Sequence, residues 1–277
     1  MPPPPTLRRA PWEDACEFTI GLKPIPLAEW LEGGEADPAG RKDALLATAG
    51  AKVWAETPAS RPAQAEALSM VEAALERSIE PDGRPPLYAA AREVADDLCL
   101  MEHVDGAWRL SALSLSAGSF FTAHEVIGRD LAALHGPVTG FDQRLLPRVT
   151  RVFHGLRDGL VLERRNWSLV SSPDLHAPDP APMRAAIGAI GPAAAGAELR
   201  LRVERQTLRR LPRTGGALFT IRVWLTPLAE LAGDPPRLAR FAEAWARTHP
   251  DFRAYKRLDL YDDLVAGFFA AHIPKDA

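Results

Sequence analysis

His135 is the side chain whose position most suggests chemistry. Ile127, Leu131 and His135 are spaced four residues apart, so on a helix the imidazole would lie on an apolar stripe. Such a histidine is either a core residue bonded to a carbonyl or an axial ligand of a haem iron, which needs a neutral imidazole and a dry, apolar pocket. Gly128 is expected on nearly the same face, where the missing side chain would admit a flat ligand.

Both ends of the helix that should carry His135 are marked in the sequence. Thr122 and Glu125 are spaced as a capping box. In this motif the Thr122 side-chain oxygen accepts from the Glu125 amide, and the Glu125 carboxylate reaches back to Thr122. Gly136 followed by Pro137 is typical of a helix stop. One helix is therefore predicted from about Thr122 to His135.

A predicted ribbon supplies further polar candidates. Apolar and charged residues alternate over 199–204, Thr214-Gly215-Gly216 forms a turn, and a return strand follows from Ala217 to Leu225. Arg205 and Gln206 interrupt the apolar face of the first strand. Arg205 either reaches water from an edge strand or lines a pocket that needs its charge.

Composition and motifs exclude several other classes of function. The 277 residues carry a net charge of −3, and the arginine-rich run 200–213 comes with no nucleic-acid-binding module, so we expect no nucleic acid partner. The other histidines form no paired metal motif. There is no G-x-S-x-G elbow, Walker A loop or dinucleotide-binding glycine motif either.

Cysteine content and hydropathy indicate the cellular compartment in which the protein is expected. Cys16 and Cys99 are far apart and in no metal-ligand spacing, so neither a disulfide framework nor an iron–sulfur site is expected. No stretch reaches the ~18 apolar residues of a membrane span, and the N-terminus has no apolar signal core. We expect a cytoplasmic protein with no membrane partner.

The predicted elements favour an α+β fold. The pattern over Leu98–Leu115 is typical of a hairpin around Asp105-Gly106, Leu160–Leu169 is a strand, and 65–79 has helical periodicity. Because hairpins rather than β–α–β units join the strands, an antiparallel sheet with flanking helices is expected.

The chain is predicted to form a single domain over 1–277. An N-terminal arm is expected at about 1–17 and a helical C-terminal extension at about 232–277, where apolar stripes recur after Pro236.

Four segments resemble a known family. They are IGLKPIPLAEWL at 20–31, SAGSFFTAHEVIGRDLAALHGPV at 116–138, RRNWSL at 164–169 and RVERQTLRRLPRTGGALFTIR at 202–222. Together they are similar to the haem-bearing α subunit of the bacterial haem-dependent oxidative N-demethylases. The long irregular string ERQTLRRLP is the most specific of these matches.

The resemblance implies a PAS-like fold that encloses a haem b. His135 matches the position of the axial ligand, and Gly128 and Arg129 become candidate contacts of the cofactor. The implied reaction uses O2 to demethylate a small secondary amine, giving a primary amine and formaldehyde. The chain departs from the family's usual tryptophan and lysine at Phe120, Phe121 and His124, which bears on the substrate.

The resemblance also assigns roles to the polar interruption of the ribbon. The candidate catalytic residues on the distal side are Glu204, Arg205 and Gln206, with Glu204 suited to an ammonium substrate. Strand alternation places Glu204 and Arg205 on opposite sides. The further candidates are propionate anchors (Arg205 or Arg222), an amide (Asn166), and an aromatic residue that either walls the pocket or packs in the core (Trp167).

An oxygenase of this kind needs electrons from elsewhere. The chain has no nucleotide motif and too few cysteines for an iron–sulfur relay, so a separate reductase polypeptide with FMN, an iron–sulfur cluster and NADPH is expected. Two alternatives remain open: a non-catalytic PAS-type haem or small-ligand sensor, and a haemless protein in which His135 is packed.

Overall fold

The computed structural model describes residues 10–12, 20–136 and 145–274, and its fold is α+β, as predicted. Within these ranges seven strands form one antiparallel sheet of order β1-β5-β6-β7-β3-β4-β2. The strands are β1 (Lys23–Ile25), β2 (Trp54–Glu56), β3 (Asp97–Val104), β4 (Ala107–Ser114), β5 (Val161–Val170), β6 (Arg200–Arg210) and β7 (Ala217–Pro227).

The described helices flank this sheet. They are α1 (Pro38–Ala49), α2 (Arg61–Leu75), α3 (Pro86–Arg92), α4 (Ala123–Val126), α5 (Leu131–His135), α6 (Leu146–His154), α7 (Pro180–Ala189), α8 (Ala195–Glu198), α9 (Pro235–Arg247), α10 (Pro250–Lys256) and α11 (Asp262–His272). No helix in the described ranges is both long and apolar enough to cross a lipid bilayer.

The two predicted hairpins are confirmed. Asp105 and Gly106 turn the chain between β3 and β4 with φ of 51° and 77°, the left-handed pair that a two-residue hairpin turn requires. The predicted ribbon is β6 and β7. Of the two alternatives for Arg205, the one that places it on an edge strand is wrong, because β6 lies between β5 and β7.

The single helix predicted up to His135 is instead two short helices. The capping box is present, with Glu125 Oε2 accepting from the Thr122 amide at 2.8 Å, but α4 ends at Val126. Gly128 follows in a turn at φ 77°, and Asp130 caps α5 by accepting from the Ala133 amide at 2.9 Å. Gly128 therefore does not share a helical face with His135.

The backbone around Gly128 is held by β4, which explains the break. The Gly128 amide donates to the Leu110 carbonyl at 2.8 Å, and the Leu110 amide donates to the Arg129 carbonyl at 2.9 Å. These two hydrogen bonds replace helical ones, so tertiary pairing overrides the local periodicity.

The chain divides into two compact units. The N-terminal unit consists of Ile20–Arg164 and Arg205–Arg222, and the C-terminal unit contains Arg165–Glu204 and Val223–Ala277. The core of the C-terminal unit joins strand residues such as Leu201 and Val203 to helices α9 and α11.

In the N-terminal unit both sides of the sheet are covered. One side, which we call the Trp30 face, packs Leu98 and Leu218 against Trp30 and helices α2 and α3. The other side, which we call the His135 face, packs Cys99 and Leu208 against helices α4, α5 and α6. The candidate residues of this unit that lie on β6 and β7, which are Arg205, Gln206 and Arg222, project from one or the other of these two faces.

Candidate functional site

His135 is the last residue of α5 and is half-buried. Its Nδ1 lies 2.8 Å from the Leu131 carbonyl, so Nδ1 carries the proton and donates. Burial lowers the pKa of His135, the nearby charge of Arg164 lowers it further, and the hydrogen bond to Leu131 opposes both effects. The imidazole is therefore neutral at pH 7, with its lone pair on Nε2, the state that a metal ligand requires.

Arg164 and Gln206 lie on the same side of the sheet as His135. Leu162 on β5 and Leu208 on β6 both pack on the His135 face. Arg164 and Gln206 are each two residues away from one of these leucines, and side chains two apart on a strand share a face. The His135 face thus brings together an imidazole, a guanidinium and an amide beside an apolar cluster.

Arg205 points to the opposite side and is 1 % exposed. It forms a buried ion pair with Glu163, lies 3.2 Å from Glu32 Oε1, and donates from Nη1 to the Trp30 carbonyl at 2.7 Å. It also donates to the Glu29 carbonyl. The alternative in which Arg205 reaches water is wrong, and these contacts make it a clamp on the segment that contains Trp30.

Arg222 is also buried and paired within the protein. Its Nη1 lies 3.3 Å from Glu35 Oε2, and Glu35 is held in turn by Arg41, whose Nη2 donates at 3.1 Å. Burial favours the neutral acid, but the hydrogen bond and charge of Arg41, together with Arg222, lower the pKa of Glu35. Neither Arg205 nor Arg222 lies on the His135 face.

A buried lysine, which sequence reasoning missed, belongs to the same unit. Lys42 donates from Nζ to the carbonyls of Ala91, Val94 and Asp96 at 2.7, 2.9 and 2.6 Å. Burial lowers the pKa of Lys42 to about 8, although the charge of Asp97 opposes this. The only sequence signal is a charged residue in an alanine-rich helix, and most such lysines reach water.

Two buried carboxyl groups accompany Lys42. Asp97 accepts from the amides of Ser116 and Ala117 at 2.6 and 2.9 Å. Asp96 is as deeply buried, and neither of its carboxyl oxygens has a partner at full hydrogen-bond geometry within the described residues, although the Thr220 hydroxyl lies close enough to lower its pKa. Burial raises the pKa of Asp96 to about 6, against the charges of Lys42 and Arg222.

Gly128 and Arg129, the predicted cofactor contacts, are both exposed. A Cβ built on Gly128 would meet no atom within 4 Å, so the glycine is required by its left-handed backbone rather than by a close neighbour. Arg129 uses its carbonyl to hold the turn against Leu110.

The loop before α4 carries a strained, exposed aromatic residue. Phe120 adopts φ 70°, a conformation that a bulky side chain rarely takes, and is 58 % exposed. Phe121 is also exposed, and His124 Nδ1 lies 3.1 Å from Thr122 Oγ1. Pro137, which ends the matched helix segment, lies outside the described residues, as does Cys16.

The remaining predicted residues belong to the C-terminal unit. Trp167 is buried with its ring centroid 5.8 Å from that of Phe241 and 5.7 Å from that of Phe252, so it packs in the hydrophobic core of this unit. Glu204 Oε1 accepts from Arg202 Nε at 3.0 Å. Asn166 is half-buried, and its side-chain oxygen accepts from the Trp167 amide at 2.9 Å.

A further feature of the N-terminal unit is a cavity whose lining does not include His135. This cavity of about 370 Å³ has mostly apolar walls, which come from Asp43, Leu46, Ala47, Trp54, Arg84, Pro85 and Tyr88. Among the described residues no group of three or more His, Cys, Asp or Glu side chains could hold a metal ion. A single-histidine ligand, as in haem proteins, is not a site of that kind.

Residues 72–266 match a family model described as haem-dependent oxidative N-demethylase, alpha subunit-like. The matched range covers more than half of the chain and includes His135, Arg164 and the whole β6–β7 ribbon. The resemblance seen in the sequence is thereby confirmed: this chain belongs to the haem-dependent oxidative N-demethylase α-subunit-like family.

Proposed function

We propose that this chain is the haem-containing subunit of an oxidative N-demethylase-type monooxygenase. The substrate is a small secondary amine, which is converted with O2 to a primary amine and formaldehyde. The observation that carries the proposal is a neutral, half-buried His135 oriented by the Leu131 carbonyl in a chain of this family. A bound haem b would supply the oxygen chemistry that protein side chains lack.

The environment of His135, rather than its hydrogen bond alone, supports its role as the ligand. His272 is also the last residue of a helix, and its Nδ1 lies 2.9 Å from the Phe268 carbonyl four residues earlier. His272 is exposed, however, whereas His135 lies beside the apolar cluster of the His135 face. A haem needs that apolar surface as well as the imidazole.

The other side chains of the His135 face suit the edges of a haem and a small amine. Arg164 is close enough to His135 to affect its pKa, and its guanidinium lies on the same face of the sheet as the imidazole, where it suits a haem propionate. The amide oxygen of Gln206 could accept a hydrogen bond from an ammonium group.

Electrons for this reaction would come from another polypeptide. The chain has no dinucleotide or Walker motif, and an α-subunit family name indicates a multi-subunit enzyme. We propose a reductase partner that carries FMN, an iron–sulfur cluster and an NADPH site.

The ligand assignment is tested by the visible spectrum of the full chain reconstituted with haem. We expect a sharp Soret band in the parent protein and in His272→Ala, and its loss or shift in His135→Ala. An unchanged band in His135→Ala would reject His135 as the ligand. The absence of any band in the parent would reject haem binding itself.

Turnover is tested separately, on haem-loaded protein supplied with NADPH and a purified flavin/iron–sulfur reductase. We expect formaldehyde release with at least one member of a panel of small secondary amines. A normal Soret band without formaldehyde across the panel would reject the demethylase activity and favour a haem-based sensor.

A further inference from the structure

Arg209 on β6 has no acidic partner among the described residues. Its guanidinium carbon lies 4.1 Å from the centre of the Trp30 ring, and its Nε is buried without a hydrogen-bond acceptor. No hydrogen bond or ion pair joins the guanidinium of Arg209 to the described residues. Since Nε is the buried atom, the Nη end of the guanidinium is the part that solvent reaches. Burial alone lowers the pKa of Arg209 to about 10.

Neighbouring arginines show how unusual this arrangement is. Arg205 contacts Glu163, Arg222 contacts Glu35, and the adjacent Arg210 lies 3.3 Å from Asp158. A desolvated charge without a counter-charge is costly, so buried guanidinium groups normally have a carboxylate. Within the described part of the chain, the guanidinium of Arg209 has an aromatic ring beside it and no carboxylate.

We propose that Arg209, mounted on Trp30, is a binding site for an oxyanion, either a carboxylate or a phosphate group of a ligand. The planar guanidinium presents a fork of N–H donors that matches two oxygens of such a group, and stacking on indole leaves that fork available. The anion would supply the missing counter-charge and would accept hydrogen bonds from the two Nη groups.

The platform under Arg209 is rigid, which favours binding. The Trp30 indole Nε1 donates to Thr207 Oγ1 at 3.0 Å, while the Trp30 carbonyl accepts from Arg205 at 2.7 Å. A guanidinium held on a fixed ring loses little conformational freedom when the anion binds.

This site is independent of the proposed haem site. Arg209 and Gln206 occupy positions of opposite parity on β6, so their side chains lie on opposite faces of the strand. Anion binding at Arg209 can therefore be tested in the haem-free protein.

The test measures anion binding to the full haem-free chain by calorimetry, with sodium phosphate or sodium acetate added at constant ionic strength against sodium chloride. We expect saturable binding of at least one anion by the parent and by the matched control Arg210→Gln. Arg209→Gln should bind roughly tenfold or more weakly, because it loses charge-assisted hydrogen bonds.

The pattern of binding identifies the group. Phosphate binding without acetate binding would establish a phosphate site, and binding of both would establish a general oxyanion site. Equal binding by the parent and Arg209→Gln, or no saturable binding by the parent, would overturn the proposal.

A second measurement does not depend on a glutamine variant that folds. In the ¹⁵N-labelled parent, the Arg209 Nε–H signal, identified by its absence in Arg209→Lys, should move with the saturating anion. A signal that stays in place up to saturating concentrations of both anions would equally overturn the proposal.

Discussion

The indole Nε1 of Trp30 donates a hydrogen bond to Thr207 Oγ1 at 3.0 Å across 177 positions of sequence. Trp30 belongs to the segment IGLKPIPLAEWL, before the range that matches the family model, and Thr207 to the string ERQTLRRLP within that range. Arg205 and Arg209 of the same string hold the Trp30 carbonyl and ring. Arg205, Thr207 and Arg209 thus all contact Trp30, whereas Gln206 lies on the His135 face.

Replacing Thr207 with valine should destabilise the protein by ~1–3 kcal/mol, because the buried indole N–H loses its acceptor. The same change removes the 2.7 Å hydrogen bond between Thr207 and Thr220. Urea unfolding monitored by circular dichroism measures the loss. Thr207→Ser is the control, since it keeps the hydroxyl group, and equal losses in the two variants would show that the hydrogen bonds are not responsible.

Arg205→Met should be more damaging, by ~3–5 kcal/mol, because it removes the guanidinium that pairs with the buried Glu163 carboxylate. The double variant Arg205→Met/Glu163→Met should recover much of that stability. Arg210→Gln, which breaks a more exposed pair with Asp158, should cost about 1 kcal/mol or less. The urea midpoint decides the matter, and a double variant no more stable than Arg205→Met would contradict this account.

The partners of Arg205 mark the limit of what the sequence could predict. Turns such as Asp105-Gly106 have local signals that require left-handed backbone, and they placed both hairpins correctly. Parity on β6 showed that Glu204 and Arg205 face opposite sides. It could not show which side lies near His135, because Arg205 contacts Trp30 and Glu163 from distant parts of the chain.

The helix break at Gly128 was missed for the same reason. Apolar spacing through Ile127 and Leu131 favours one continuous helix, whereas the break depends on hydrogen bonds to Leu110 in another element. Lys42 and Asp96 were likewise unpredictable, since nothing local distinguishes them from solvated charges. His135 could be found because its residue type, its spacing and the family resemblance all indicated the same position.

Gly128→Ala should destabilise the protein by ~1–2 kcal/mol, because alanine is strained at φ 77°. Gly136→Ala is the matched control: Gly136 has helical φ of −48°, and an added Cβ would make only ordinary contacts there. That variant should be neutral or slightly stabilising. Thermal unfolding compares the two, and equal melting temperatures would contradict the backbone explanation.

Asp96 should make the protein less stable as pH rises. An acid whose pKa is raised to about 6 in the folded state holds its proton more tightly there than in the unfolded chain. Its stabilising contribution is complete below about pH 4 and is lost as pH rises through about 6. The free energy of unfolding of Asp96→Asn, taken relative to that of the parent, should therefore increase by on the order of 2 kcal/mol between pH 4 and pH 7.

Urea unfolding of both proteins at pH 4.5, 5.5 and 7 measures this difference. Asp82→Asn serves as the control because the Asp82 side chain is 69 % exposed. A stability difference between parent and Asp96→Asn that is constant over this range would show that Asp96 does not titrate there.

His135 should titrate below its usual range even without haem, because burial and the charge of Arg164 both disfavour the imidazolium ion. Arg164→Gln should raise the pKa of His135, whereas Arg165→Gln, which changes the next residue of β5, should leave it unchanged. The ¹³C-resolved Cε1–H signal followed from pH 8 to pH 5 measures both. Identical titrations in the parent and Arg164→Gln would remove Arg164 from the site.

The same shift bears on cofactor retention. Iron binding requires neutral imidazole, so a lowered pKa lets haem stay bound further into the acid range. If His135 is the ligand, haem release from Arg164→Gln should begin at a higher pH than release from the parent, as followed by the Soret band. If Arg164→Gln raises the pKa of His135 as expected but releases haem at the same pH as the parent, Arg164 lies near His135 and His135 is not the iron ligand.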